Sequence, residues 1–152
     1  MKDLSLVKHA PGAPGLRFLG LGPIFLPRKG ISKLQLLLEK NTFWAKNRTK
    51  KDIRKMLSKS QVIVSIWKKN KLIAFGRATS DEIFRAVLWD IVVDEKYQHT
   101  GLGTLVVNTI LASNLISKVE RVYVMTTSCN EFYSAMGFIL GKDQTLMIRQ
   151  TL

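Results

Sequence analysis

Gly101 and Gly103 stand at the end of a Val-rich run, Ile91-Val92-Val93, after Asp94-Glu95-Lys96-Tyr97-Gln98-His99-Thr100, and they open an apolar stretch with helical spacing. A buried strand that ends, turns and starts a helix at glycines leaves several backbone N–H groups unpaired and pointing one way. The helix dipole adds partial positive charge at that end. Such a turn binds phosphate or pyrophosphate through main-chain amides, and glycine lets the ligand approach closely. Two other phosphate signatures do not fit. A dinucleotide fingerprint needs glycine at 106, where Val106 stands, and a P-loop needs Lys-Ser/Thr after the second glycine, where Thr104-Leu105 follow. By spacing alone, a tightly packed strand–helix turn accounts for the glycines as well.

The titratable side chains nearby suggest acid–base work. Asp90 is a lone carboxylate inside an apolar strand, between Trp89 and Ile91. Burial there raises a carboxyl pKa and makes it a proton acceptor near neutrality. Asp81 or a water relay are the competing bases. The single cysteine, Cys129, excludes an intramolecular disulfide and a thiolate-rich zinc site, and no histidine neighbours it to activate it as a nucleophile. His9 and His99 are far apart, so no metal is expected.

These residues need a scaffold. Pro11, Gly12, Pro14 and Gly15 mark residues 1–15 as a flexible arm, and Leu16–Leu21 reads as a first strand. Residues 16–152 then form one domain, of ordinary size for a single core. Ile31, Leu34, Leu37 and Leu38 predict a helix over Gly30–Lys40. Thr49-Lys50-Lys51-Asp52 resembles a capping box opening a second helix, with Ile53, Met56 and Leu57 as its apolar stripe. From Gln61 the period falls to two. Strands are expected up to Lys68, over Lys71–Ser80 and over Arg85–Val93, with Asn70 taking positive φ in the first turn. A helix over Leu102–Ser113, a strand over Arg121–Thr126 and a short helix over Asn130–Met136 follow. Gly137–Leu140 and Thr145–Arg149 are expected as closing strands. The order predicts a mixed α/β (α+β) fold: a mostly antiparallel sheet of about six to seven strands flanked by about four helices.

The net charge is +13, and residues 28–72 alone hold fourteen Lys/Arg against two Asp/Glu. The excess is local and attracts polyanions, so nucleic acid or an acidic partner stays open. Alternatively, it is a solvated basic face. The longest stretch without Asp, Glu, Lys or Arg, Tyr97–Ser117, contains Gln98, His99, Asn108 and Asn114, which argues against a membrane span. No signal-peptide core follows Met1-Lys2-Asp3, so a cytoplasmic protein is expected.

Gln98-x-x-Gly101-x-Gly103 after a Val-rich strand resembles the Q/R-x-x-G-x-G/A signature of the GNAT N-acetyltransferase superfamily. About 30 residues on, Phe132-Tyr133-Ser134-Ala135-Met136-Gly137-Phe138 is similar to its second signature. The resemblance covers residues 61–140 strongly. Ala74–Asp81 and Trp89–Asp94 look closest to the plastid and cyanobacterial branch that includes serotonin N-acetyltransferase-like proteins. It implies a GNAT-like fold and direct acetyl transfer from acetyl-CoA to a primary amine, either an arylalkylamine or a protein lysine or N-terminus. It implies that backbone groups of Ile91, Val92 and Val93 pair with the pantetheine arm. The amides of Gln98, His99, Thr100, Gly101, Leu102, Gly103 and Thr104 would hold the pyrophosphate. Tyr133 would protonate the leaving thiolate, and Asn130 is a candidate to hydrogen-bond the cofactor arm. The chain would act as a monomer or homodimer, in a bacterial cytosol or a plastid stroma. The alternatives are a basic nucleic-acid or acidic-partner binding module and a non-catalytic acyl-CoA sensor.

Overall fold

The computed structural model describes residues 3–9 and 29–151. Among them the chain forms β1 (Leu4–Lys8), α1 (Gly30–Asn41), α2 (Lys50–Ser58), β2 (Val62–Lys68), β3 (Lys71–Ser80), β4 (Arg85–Val93), a 3-10 turn (Glu95–Tyr97), α3 (Leu102–Leu111), β5 (Arg121–Val124) and α4 (Asn130–Ser134). The five strands lie in sequence order in one sheet. β1 to β4 are antiparallel neighbours, and α3 carries the chain across to β5, which pairs parallel to β4.

β2 shows why the sheet is covered on both sides. Its six leading residues are all buried, and they alternate between two cores. Val62, Val64 and Ile66 face the cluster that contains Leu102, Val106 and Ile110 of α3. Ile63 and Trp67 face the cluster of Leu34, Leu37 and Leu38 from α1 with Ile53 and Leu57 from α2. A strand buried on both faces loses the polar alternation of a half-exposed one. The N-cap forms as expected, with a side-chain pair in place of the box's second bond: Thr49 Oγ1 accepts from the Asp52 amide at 3.1 Å and donates to Asp52 Oδ2 at 2.6 Å.

Three expectations are corrected, and a fourth lies outside the described residues. Leu4–Lys8, inside the stretch read as an arm, is a strand, because Leu4 packs on one core and Val7 on the other. The expected strand Leu16–Leu21 lies outside the described residues. Positive φ in the β2–β3 turn falls on Lys69, at 53°, rather than on Asn70. Gly137–Leu140 and Thr145–Arg149 pair with no strand among the described residues, which form a sheet of five strands instead of six or seven. Ile139, Leu140, Leu146, Met147 and Ile148 stay exposed there. No helix among the described residues is long and apolar enough to cross a membrane.

Candidate active site

The site is built on a bulge in β4. Arg77 of β3 faces Trp89 and Phe75 faces Val92, so Gly76 alone stands opposite both Asp90 and Ile91. Two residues against one bend a strand and increase its twist. Asp90 takes up the kink with φ 52°. Gly76 has no room for a side chain: a Cβ there would lie 2.5 Å from Val106 and 2.7 Å from Ile91. β5 pairs only with Arg85–Leu88. From Trp89 to Val93, β4 therefore runs on beyond that ladder. An unpaired strand edge of this kind accepts an extended, amide-bearing ligand as an added strand.

The loop after β4 is fastened at several points. Asp94 caps the 3-10 turn by accepting from the Lys96 amide. Asn41, at the end of α1, accepts from the Glu95 amide at 2.9 Å. Gln98 donates its amide to the Val93 carbonyl at 3.2 Å, and Thr100 donates to the Tyr97 carbonyl at 2.6 Å. His99 and Gly101 take left-handed φ values of 60° and 84°. The two glycines serve different ends. Nothing would touch a Cβ on Gly101, which is needed for its φ, whereas a Cβ on Gly103 would lie 3.2 Å from the Phe132 ring. The first α3 hydrogen bond runs from the Leu105 amide to the Gly101 carbonyl, and neither a capping side chain nor an acidic residue occupies the first turn. The amides preceding Leu105 have no partner within the helix, and they point with the dipole toward an anion.

Asp90 departs from expectation. Its side chain is 3% exposed, and Oδ2 receives Arg77 Nε at 2.7 Å and Arg48 at 3.0 Å. Oδ1 accepts from the Trp44 indole at 3.3 Å. Burial pushes this carboxyl up, but the hydrogen bond from Arg48 and the adjacent Arg77 charge outweigh it and hold the group below the ordinary carboxylate range. The expected raised pKa is corrected, and a carboxylate saturated by two guanidiniums and an indole is a poor base. Asp81 is also spoken for. It accepts from the Ile83, Phe84 and Arg85 amides and shapes the β3–β4 turn, and those bonds, the one from Arg85 foremost, lower its pKa.

Tyr133 lies 8% exposed in the α3-side core, edge-on to Phe132 at 4.9 Å and Phe138 at 5.6 Å. Burial, with a smaller contribution from Cys129, pushes its phenol up to about 12. Asn130, the first residue of α4, and Cys129 before it are exposed. The structure thus brings both motifs together at Gly103 and Phe132, and Asp90, in the β4 bulge, is held by Trp44 and Arg48 of the α1–α2 connection. Trp44, Arg48 and Arg77 escaped sequence reasoning because none carries a local motif. Their shared partner, a carboxylate inside an apolar strand, was the one available signal.

The family model of the acetyltransferase (GNAT) family matches residues 31–138. The chain belongs to the GNAT family. The uncharacterized N-acetyltransferase ycf52 of Pyropia yezoensis is 31% identical over 105 residues, covering 66% of this chain and 60% of that protein. The chloroplastic GCN5-related N-acetyltransferase 2 of Arabidopsis thaliana is 38% identical over 69 residues, covering 45% of this chain and 27% of that one. The chain therefore spans 60% or less of these curated relatives. The crystal structure of a GNAT-family protein from Xanthomonas campestris pv. campestris superposes with TM-score 0.75 at 19% identity, over 99% of this chain and 95% of that one. This GNAT fold matches the expected class with fewer strands.

Proposed function

We propose that this GNAT chain is an N-acetyltransferase that moves an acetyl group directly from acetyl-CoA to a primary amine. The observation that carries the reading is the junction of the β4 edge Trp89–Val93, unpaired on the β5 side among the described residues, with the open amides at the start of α3. In this reading the main chain of Ile91, Val92 and Val93 pairs with the pantetheine arm, and the amides from Gln98 to Thr104 bind the pyrophosphate. Asn130 reaches the cofactor arm.

The amine nitrogen, once neutral, attacks the thioester carbonyl. A C–N bond forms, the C–S bond breaks, the nitrogen loses a proton and the thiolate gains one. The Val92 amide stabilises the oxyanion. Tyr133, with its pKa near 12, keeps its proton at neutral pH. Full transfer from it to a thiolate of pKa about 8.5 is uphill by about 5 kcal/mol, so Tyr133 acts by hydrogen bonding to the sulfur as charge develops. Asp90 is a positioning residue that holds Arg77 and Trp44, and a water relay takes the proton lost by the amine and delivers one to the thiolate. Exposed Phe43 and half-exposed Trp44 stack edge-on at 5.0 Å beside it, which favours an aromatic amine such as serotonin over a protein lysine or N-terminus. The chloroplastic relative is compatible with a plastid stroma.

An acetyl-CoA assay over arylalkylamines, polyamines and peptides tests the reading. Turnover on an amine class supports it. Acetyl-CoA binding without turnover on any amine favours the sensor alternative.

A further inference from the structure

On the α1 side of the sheet, α1, the β2–β3 turn and the 3-10 turn enclose a cleft of about 670 Å³. Five lysines line it: Lys33, Lys40, Lys68, Lys69 and Lys71. Asp94 is the sole acidic residue among its lining residues, and Lys71 takes it at 2.7 Å. Lys33 donates to Asn70 and lies over the Trp67 ring. The ammonium groups of Lys68 and Lys71 sit 5.2 Å and 5.3 Å from the centre of the same ring, Tyr97. Five lysines against one carboxylate leave the cleft with a surplus of positive charge, which attracts an anion. The lining also has an apolar part: Leu36, 52% exposed, beside buried Leu37 and Leu72.

We propose that this cleft docks an acidic peptide segment, with carboxylates on the lysines and an apolar side chain against Leu36. Two features favour a peptide over nucleic acid. Single strands bind by stacking bases on open aromatic faces, whereas Tyr97 already carries two ammonium groups. A phosphate backbone also makes no use of the leucines. The cleft opens on the α1 side and shares the Asp94–Tyr97 turn with the loop that leads to the α3 amides, and the proposal does not depend on acetyl transfer.

The test is fluorescence anisotropy on the full chain. The probes are a labelled peptide of alternating Glu and Leu and a single-stranded oligonucleotide of equal charge. The peptide is expected to bind more tightly, to lose at least tenfold in affinity with Lys68→Glu/Lys69→Glu, and to lose several-fold with Leu36→Ser. Thermal melts check that the variants fold, and calorimetry with acetyl-CoA is expected to read the same for them as for the parent. Tighter binding of the oligonucleotide, or peptide binding that ignores these substitutions, overturns the proposal.

Discussion

The ring of Phe132 lies 3.2 Å from the point where a Cβ on Gly103 would stand. One sequence motif thus packs directly on the other, and the start of α3 is held by α4. Gly103→Ala asks the ring to yield by a few tenths of an ångström, whereas Gly103→Val drives methyl groups into it. Calorimetry should show acetyl-CoA affinity little changed by Ala and reduced at least tenfold by Val. Gly101→Ala tests the other glycine: it meets no neighbour but strains a φ of 84°, at a cost of about 1 kcal/mol in unfolding free energy.

Asp90→Asn leaves Arg77 and Arg48 facing a neutral group. Breaking a buried pair on one side costs about 3 kcal/mol where one partner stays partly open to water, as Arg48 does. The sign with pH follows from the lowered carboxyl pKa. The stabilisation is fully present above the unfolded value of about 3.9 and is lost as pH falls through the folded one. Denaturant melts should show a constant gap between parent and variant from pH 5 to 9 that closes below about pH 4. A pH–rate profile should retain its near-neutral limb in the variant.

The local parts of this site were legible in the sequence and the long-range parts were not. The Thr49 cap, the glycine turn and the stripes of α1 and α2 depend on residues within a few positions of one another. The surroundings of Asp90 are assembled from Arg77, 13 residues away, and from Arg48 and Trp44, more than 40 away, so its sequence context suggested a raised pKa and the fold lowered it. β1 was hidden because the prolines and glycines after it dominate its neighbourhood, although Leu4 and Val7 complete the two cores. The closing strands had suitable composition, and whether such a segment joins a sheet is decided by tertiary pairing rather than propensity.

Tyr133→Phe removes the hydroxyl and keeps the ring contacts with Phe132 and Phe138. Steady-state kinetics should show kcat reduced by about 10²-fold, with acetyl-CoA affinity within twofold of the parent. Burial favours the neutral phenol, so its stabilising effect is complete below pH 10 and is lost between pH 10 and about 12. The parent should lose stability over that window, and the Phe variant should lose less.

Trp44→Ala strips an aromatic wall and the indole bond to Asp90. KM for an arylalkylamine should rise at least fivefold, with calorimetric acetyl-CoA affinity unchanged. An equal loss for aliphatic and aromatic amines would remove Trp44 from acceptor recognition.

The central claim is that main-chain amides at the start of α3 and the free edge of β4 together bind acetyl-CoA. Amide NMR spectra recorded while acetyl-CoA is added read this directly. The largest shifts are expected at Gln98–Thr104 and Ile91–Val93. Saturating acetyl-CoA that leaves those amides unmoved, or moves only residues elsewhere, would contradict it.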